Sequence, residues 1–374
     1  MSIVLTVALF ALIIVFHEFG HFVAAKLARI PVYEFALGWG RPVLLSFKWR
    51  GTQYSLRPIP VGGYVRIAGM EPEEDVPDGF DKKPVFSRLA VIASGSGMNF
   101  VLAIILFWVM GVVFGTVVGH TTEIRRVMPG TPAAAIGLQP RDVLIHAEPV
   151  ALVEKMPEVM PVATPPKKMK LDDLREVISE RPDMPIRLVT QRGDTYLAYR
   201  IVPRPEEEEG LEELPNGKTR IVTRTVGLIG VVFVPITEPK GFIESVADGF
   251  TEVYFTTKTM VMALAWMIIG KLPAAVGGPV RIADIMADAL AVGWGPFLLW
   301  SALISVNIGV INLLPIPALD GARIVFILIG GVRRRPIDKR KEAIVHFVGF
   351  ALLLLFLALV TFKDVIVLIE KRFG

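Results

Sequence analysis

The chain has 374 residues, of which 53% are hydrophobic and 20% are charged, so it is more apolar than a typical soluble domain. Its formal net charge of +4 is too small to indicate nucleic acid as a partner, and it contains no cysteine. The composition therefore excludes a cysteine nucleophile, a thiolate metal site, an iron–sulfur cluster and any disulfide. The apolar residues lie in blocks, which favours a polytopic membrane protein with a water-soluble insert.

Four apolar blocks are long enough to cross a bilayer, because about 20 helical residues span the hydrocarbon layer. The first block lacks the basic start of a signal peptide, so we expect an uncleaved span, with a signal peptide as the lesser alternative. The third has Pro315 and Pro317 at its middle, which predicts a helix, a break and a second helical piece. A further stretch, 254–270, contains Lys258 and favours an interfacial helix. The predicted spans are 2–25, 89–118, 296–331 and 344–368.

Basic residues near the span ends predict the orientation in the membrane. The short loop between the third and fourth spans is strongly basic, and the segment between the first and second spans is basic near its ends. The basic residues of the short loop are Arg333, Arg334, Arg335, Lys339, Arg340 and Lys341. We therefore expect this side to be cytoplasmic, with both termini and the region 119–295 outside.

The segments between the spans carry strand patterns. Residues 35–68 contain the β-prone runs 43–48, 53–56 and 64–67, separated by glycines. They predict either a cytoplasmic hairpin or, because they are unusually apolar, a sheet that dips into the membrane beside the first span. Residues 123–204 resemble a circularly permuted PDZ domain, although Arg141 replaces the usual glycine and 149–170 is a proline-rich insert. The acidic stretch 206–213 predicts a solvated linker.

The first span contains His17-Glu18-Phe19-Gly20-His21, the H-E-x-x-H pattern. Two histidines four residues apart lie on one face of a helix, so both imidazoles can bind one metal ion. Glu18 beside them can take a proton from water that a zinc ion activates. Two histidines and a glutamate inside a span are costly unless they are paired or liganded, which favours a metal site over two core histidines.

A catalytic zinc ion usually takes three protein ligands, so one more is required. Asp320 is the only carboxylate in the third block, and it follows the break at a depth similar to that of the histidines. The alternative role for Asp320 is a cap on the helix after the break, and one carboxylate can both cap and ligate. Asn312 in the same block is either an interhelical amide or a donor to the substrate carbonyl.

These features resemble the site-2 protease family of intramembrane zinc metalloproteases, and especially its bacterial regulator-of-sigma-factor protease branch. The resemblance rests on H-E-x-x-H, on N-x-x-P-x-P-x-L-D-G at 312–321, on G-W-G at 38–40, on the PDZ-like insert and on the order of the four spans. It implies one zinc ion held by His17, His21 and Asp320, with Glu18 as general base. One departure is Ser96, where relatives often carry proline; another is the single PDZ-like unit.

The resemblance also implies a membrane β-loop at 35–68 that presents the substrate as an added strand. The substrate contacts that we expect are Asn312, Pro315, Pro317, Gly38, Gly40, Gly62 and Gly63. The expected reaction is cleavage of the transmembrane segments of single-pass membrane proteins, such as anti-sigma factors or signal-peptide remnants, in the lipid bilayer. An upstream site-1-type protease is expected to act first, because the PDZ-like domain excludes bulky ectodomains. The expected location is the bacterial inner membrane, with the active site towards the cytoplasm.

The predicted fold class is a polytopic α-helical membrane protein with about four transmembrane helices, a membrane-associated β-loop and an extracytoplasmic PDZ-like α+β domain. The predicted segments are 1–34 (first span), 35–88 (β-loop and cytoplasmic loop), 89–119 (second span), 120–205 (PDZ-like domain), 206–295 (linker, strand and amphipathic helices), 296–332 (broken third span) and 333–374 (basic loop and fourth span).

The main alternative function is a non-catalytic PDZ-bearing membrane scaffold or adaptor with a structural metal site. A membrane serine protease built on Ser96 is disfavoured, because the nearest histidine, His120, lies at or beyond the end of its span. An aspartyl protease needs two membrane aspartates, and Asp364, near the far face, is a poor partner for Asp320. Metal analysis together with cleavage by a Glu18→Gln variant separates the enzyme from the scaffold.

Overall fold

The computed structural model describes residues 2–71, 74–150, 159–213, 219–271, 277–335 and 337–373, so part of the predicted proline-rich insert, 151–158, lies outside the described residues. The chain divides into two compact units. Unit 1 comprises Met1–Phe114 and Lys240–Gly374, and unit 2 comprises Gly115–Pro239. Each unit has its own core, as the sequence predicted for a membrane part with an insert.

Unit 1 contains four described helices that are long and apolar enough to cross a membrane, which confirms the predicted number of spans. These helices are α1 (Ser2–Leu27), α2 (Val85–Phe114), α7 (Trp294–Leu313) and α9 (Lys339–Phe373). The remaining helices of the unit are α5 (Phe242–Ile268), α6 (Pro279–Val292), α8 (Asp320–Val332) and a short 3₁₀ turn (Phe80–Lys82). Helix α2 ends four residues before the predicted limit, because Gly115 adopts φ +72° and stops the helix.

The predicted break in the third apolar block is present between α7 and α8. The intervening loop contains Pro315 and Pro317, which cannot continue the α7 hydrogen-bond ladder. The first turn of α8 folds back on the end of α7, where a Cβ on Gly321 would collide with the carbonyl oxygens of Leu313 and Leu314. A glycine is therefore required next to Asp320, and the tight turn fixes where α8 begins.

A four-stranded sheet follows α1. Its strands are β1 (Val32–Trp39), β2 (Leu45–Trp49), β3 (Thr52–Leu56) and β4 (Ile59–Ile67), in the order β2-β3-β1-β4. The three predicted β-prone runs lie in β2, β3 and β4, whereas β1 was not predicted. The pairs β1–β4 and β2–β3 are antiparallel, and β1–β3 is parallel. Strand β4 therefore lies at an edge of the sheet.

Helix α2 packs against several other helices of unit 1. Ile13 of α1, Leu102 of α2 and Phe297 of α7 share one buried apolar cluster. Helix α5 packs closely along α2 at a glycine. A Cβ added to Gly249 of α5 would lie 2.9 Å from the carbonyl oxygen of Ile104 in α2. The predicted stretch 254–270 is helical up to Ile268, and its interfacial position in the membrane stays a prediction.

Unit 2 is a mixed α and β domain. Its elements are β5 (Thr116–Val127), α3 (Pro132–Ala135), β6 (Val143–Pro149), β7 (Val159–Pro161), α4 (Leu171–Ser179), β8 (Ile186–Arg192), β9 (Thr195–Ile201), β10 (Arg204–Glu213), β11 (Thr219–Leu228) and β12 (Val231–Glu238). Six strands form a sheet in the order β12-β5-β6-β8-β9-β7, and β10 and β11 form a separate ribbon. Because β12 pairs with β5, the compact unit extends beyond the predicted 120–205.

Two local features of unit 2 bear on the sequence-based expectations. The first differs from its expectation, and the second concerns the arginine that stands where the PDZ pattern has glycine. The acidic stretch 206–213 lies in β10 and is not a free linker, since Glu208 stands opposite Arg224 in the paired strand. Arg141, at the position where glycine was expected, adopts φ +74°, a conformation that favours glycine. The following Asp142 is 1% exposed and accepts two hydrogen bonds, each 2.7 Å long, from Arg192.

Candidate metal centre

Three potential ligand atoms from two helices of unit 1 converge on one point. The Nε2 atoms of His17 and His21, one helical turn apart on α1, are 3.2 Å from each other. Oδ2 of Asp320, the first residue of α8, lies 3.1 Å from the first of these nitrogens and 3.2 Å from the second. The two histidines are 9% and 8% exposed, so these polar atoms meet in a largely buried site.

The spacing of these three atoms fits a tetrahedral zinc ion. Bonds of about 2.0–2.1 Å at tetrahedral angles place neighbouring ligand atoms about 3.3 Å apart, close to the separations found. Oδ2 of Asp320 is buried and accepts no hydrogen bond, although both imidazole nitrogens are near it. Two imidazole nitrogens and a carboxylate oxygen are ligands that zinc takes in proteins, so the donor set matches the metal site predicted from the sequence.

Helix α2 fixes the orientation of the His21 ring. The Nδ1–H of His21 donates to the carbonyl oxygen of Val91 at 2.8 Å, which leaves the Nε2 lone pair free for a cation. The two helices approach closely here, since a Cβ on Gly20 would lie 2.6 Å from the carbonyl carbon of Ser94. Gly95 lies directly against both imidazoles, where a Cβ would meet Cε1 of His21 at 2.5 Å and Cε1 of His17 at 2.8 Å.

Glu18 points from α1 towards the edge strand β4. The backbone N–H of Val65 lies near its carboxylate, and its Cγ would lie 3.7 Å from a Cβ on Gly63. No described strand pairs with the outer edge of β4, and the Glu18 carboxylate lies beside this strand, next to the potential metal ligands.

A polar network on the neighbouring strands holds β4 in register. Glu34 of β1 accepts hydrogen bonds from Ser55, from Arg57 at 2.9 Å and from Tyr64 at 2.8 Å. Burial alone raises the pKa of Glu34, but these hydrogen bonds together hold the pKa below its ordinary value of 4.5. An ionised Glu34 therefore ties β4 to β1 and β3 close to the strand positions that face Glu18.

Helix α9 supports the loop that leads to Asp320. The backbone N–H of Ala318, a residue with φ +83°, donates to Nδ1 of His346 at 3.1 Å. A Cβ on Gly349 would lie 2.8 Å from the carbonyl carbon of Pro317, so the helix and the loop are in close contact. The fourth span thereby fixes the strained turn before the third potential ligand.

The structure brings together four of the predicted site residues, His17, His21, Asp320 and Glu18, with Gly63 beside them. Asn312 is half-buried at the end of α7, and its side chain makes no hydrogen bond to a described residue. The other predicted substrate-contact residues have visible structural roles, in strand turns or in loop packing, and their part in substrate binding stays a prediction. These residues are Gly38, Gly40, Gly62, Pro315 and Pro317.

Sequence reasoning missed four residues that shape this site: Gly95, Asn99, Val65 and His346. A signal for two of them was present, because Gly95 and Asn99 are four residues apart in an apolar helix. A buried amide within a membrane span is expensive and therefore marks a site or a helix contact. The roles of Val65 and His346 depend on contacts between distant segments.

The profile of peptidase family M50 matches residues 5–356 of the chain. Three bacterial proteins are similar over nearly their whole length. The zinc metalloprotease RasP of Oceanobacillus iheyensis is 28% identical, over 97% of this chain and 98% of the relative. The regulator of sigma-W protease RasP of Bacillus subtilis is 27% identical, over 97% and 98%. The metalloprotease MmpA of Caulobacter vibrioides is 29% identical, over 95% and 92%.

Proposed function

The chain belongs to peptidase family M50 and is an intramembrane zinc metalloprotease, and from this premise we propose that His17, His21 and Asp320 hold its zinc ion. The observation that carries the assignment is the set of three nitrogen and oxygen atoms at separations of 3.1–3.2 Å, contributed by α1 and by the start of α8. The charge of a divalent cation also offsets the two carboxylates, Asp320 and Glu18, that the fold places in this buried site.

Glu18 is the general base and later the general acid in this proposal. Zinc, when bound, supplies Lewis-acid chemistry that polarises a peptide carbonyl and lowers the pKa of water. Glu18 takes a proton from the attacking water and gives it to the leaving amine when the peptide bond breaks. The Glu18 carboxylate lies beside β4, near the backbone N–H of Val65, where a substrate strand would lie.

We infer that the substrate binds as an extended strand on the free edge of β4. A transmembrane helix hides its carbonyl groups in its own hydrogen bonds, so it must unwind before any protease can attack it. Pairing with β4 replaces those bonds and places the backbone beside Glu18 and Gly63. Membrane-anchored proteins are the substrate class that this geometry fits, and the relative in Bacillus subtilis carries the name regulator of sigma-W protease.

The remaining parts of the proposal concern the surroundings of the site. The basic loop after α8 favours the cytoplasmic side of a bacterial inner membrane, with the termini and unit 2 outside. The fold of unit 2 supports the PDZ-like assignment. Helix α4 lies beside a sheet in which, among the described residues, β5 pairs with β6 only at Glu123 and Val143. An upstream site-1-type protease fits an enzyme that takes substrates lacking a large ectodomain.

The test uses the purified full chain in proteoliposomes with a single-pass membrane substrate. Glu18→Gln is expected to keep stoichiometric zinc and to lower cleavage by about 10²- to 10⁴-fold, the usual contribution of a general base. Glu71→Gln, which removes an exposed carboxylate paired with Arg66, is the matched control and is expected to cleave at the wild-type rate. Cleavage by Glu18→Gln at the rate of the control would contradict the base assignment.

The alternative of a non-catalytic scaffold has no observation in its favour. Glu18 stands next to the metal ligands and faces a free strand edge, an arrangement that a structural metal site does not require. A scaffold would also predict equal behaviour of wild type and Glu18→Gln, so the same experiment separates the two functions.

A further inference from the structure

Asn99 of α2 lies against the side of the His17 ring that faces away from Asp320. Its Nδ2 is 3.4 Å from Nδ1 of His17, and the side chain is fully buried. In this orientation of the amide, Oδ1 is also buried and has no hydrogen-bond partner among the described residues. A buried amide oxygen thus lies unused beside the imidazole.

A histidine that binds a cation through Nε2 must carry its proton on Nδ1, and that N–H needs an acceptor. His21 has one, the carbonyl oxygen of Val91 at 2.8 Å. For His17, the described group next to Nδ1 is the Asn99 amide. A half-turn of the amide exchanges its oxygen and nitrogen without changing its shape, and it gives both Nδ1–H and Oδ1 a partner.

We propose that Asn99 is a positioning residue whose Oδ1 accepts the Nδ1–H of His17 and thereby fixes the tautomer and ring plane that present Nε2 to zinc. This inference rests on the proposed function, because it takes His17 to be a ligand. Asn99 is itself anchored from the opposite side by α7, where Ser305 Oγ donates to the Asn99 carbonyl oxygen at 2.8 Å. A Cβ on Gly309 would lie 3.4 Å from Cβ of Asn99, so α7 leaves the amide little room to move away.

The competing role for Asn99 is that of a polar residue that only joins helices. The two roles differ in what they require of the side chain. A positioning role requires a hydrogen-bond acceptor. Aspartate is a stronger acceptor than asparagine, whereas leucine, of similar size, has no acceptor. A purely structural role is damaged by a buried carboxylate at least as much as by leucine.

The experiment measures the zinc dissociation constant of the purified full chain by competition with a chromophoric chelator. The variants are Asn99→Leu and Asn99→Asp, and the matched control is Ser96→Ala, which removes another buried polar atom from the same helix without touching the amide. Thermal unfolding of each metal-free variant shows whether it is folded. We expect Asn99→Leu to bind zinc about 10- to 100-fold more weakly, and Asn99→Asp and Ser96→Ala to bind at least as tightly as wild type.

Zinc binding by Asn99→Leu within about threefold of wild type overturns the inference, and so does an equal loss in Asn99→Leu and Asn99→Asp. If the leucine variant does not fold, the aspartate variant decides alone, because retained affinity supports positioning and lost affinity contradicts it. A wild-type chain that binds no zinc overturns the proposed function instead, so the two failures are distinguishable.

Discussion

A single methyl group on Gly95 should disable the metal centre. In Gly95→Ala the new Cβ would lie 2.5 Å from Cε1 of His21 and 2.8 Å from Cε1 of His17, whereas ordinary contacts begin at 3.4 Å. The imidazoles must therefore retreat by about 1 Å, several times the tolerance of about 0.2 Å for metal–ligand distances. Overpacking of this kind costs about 1–3 kcal/mol, which corresponds to roughly 5- to 150-fold in zinc affinity if the metal site bears the strain.

The assay is chelator competition for zinc on the purified full chain, followed by cleavage of a membrane-anchored substrate in proteoliposomes. Gly97→Ala is the control, because the same methyl group on the same helix would meet nothing within 4 Å. We expect weak zinc binding and slow cleavage for Gly95→Ala, and wild-type behaviour for Gly97→Ala. If Gly95→Ala holds zinc as tightly as its control, the close packing of α2 on the two histidines does not shape the site.

Three further predictions concern the supports of the site and unit 2. Gly349→Ala should push α9 away from Pro317, lower the unfolding free energy by about 1–3 kcal/mol and slow cleavage, as thermal unfolding and the proteoliposome assay would show. Because its pKa is lowered on folding, Glu34 stabilises the fold above its ordinary pKa of 4.5, and this contribution is lost as the pH falls through the folded value. The unfolding free energy, measured as a function of pH, should therefore decrease less in acid for Glu34→Gln than for wild type. Arg141→Gly should relieve the strain at φ +74° and raise the unfolding free energy of unit 2 by roughly 0.5–1 kcal/mol. The gain should appear as greater resistance of unit 2 to proteolysis within the full chain.

Each of these expectations has a clear contrary result. Unchanged stability in Gly349→Ala would mean that α9 does not press on the loop before Asp320. If the unfolding free energy falls with decreasing pH as steeply in Glu34→Gln as in wild type, the sheet does not depend on an ionised Glu34. Faster proteolysis of Arg141→Gly would mean that the arginine side chain stabilises unit 2 by more than its backbone strain destabilises it.

The features that could be predicted from the sequence depend on local geometry. The spacing of His17 and His21 places them on one helix face wherever that helix lies, and Pro315 breaks a helix in any surroundings. Spans follow from the length of apolar runs, so the four helices were confirmed with small shifts at their ends. The family predicted from these motifs is confirmed by the match over residues 5–356.

The features that could not be predicted depend on pairing between distant segments. Strand β1 pairs in parallel with β3, and this pairing is set by the sheet and not by the residues of β1 alone. The contact of Val65 with Glu18 requires the register of β4, which no local pattern encodes. Asn99 could be suspected as a buried amide in an apolar helix, but its partner His17 is 82 residues away in the chain.

Zinc-edge anomalous diffraction from crystals of the full chain tests the central assignment most directly. We expect one peak at about 2.0–2.2 Å from His17 Nε2, His21 Nε2 and an Asp320 carboxylate oxygen. A zinc peak bound elsewhere in the chain, with none between these three side chains, would contradict the account.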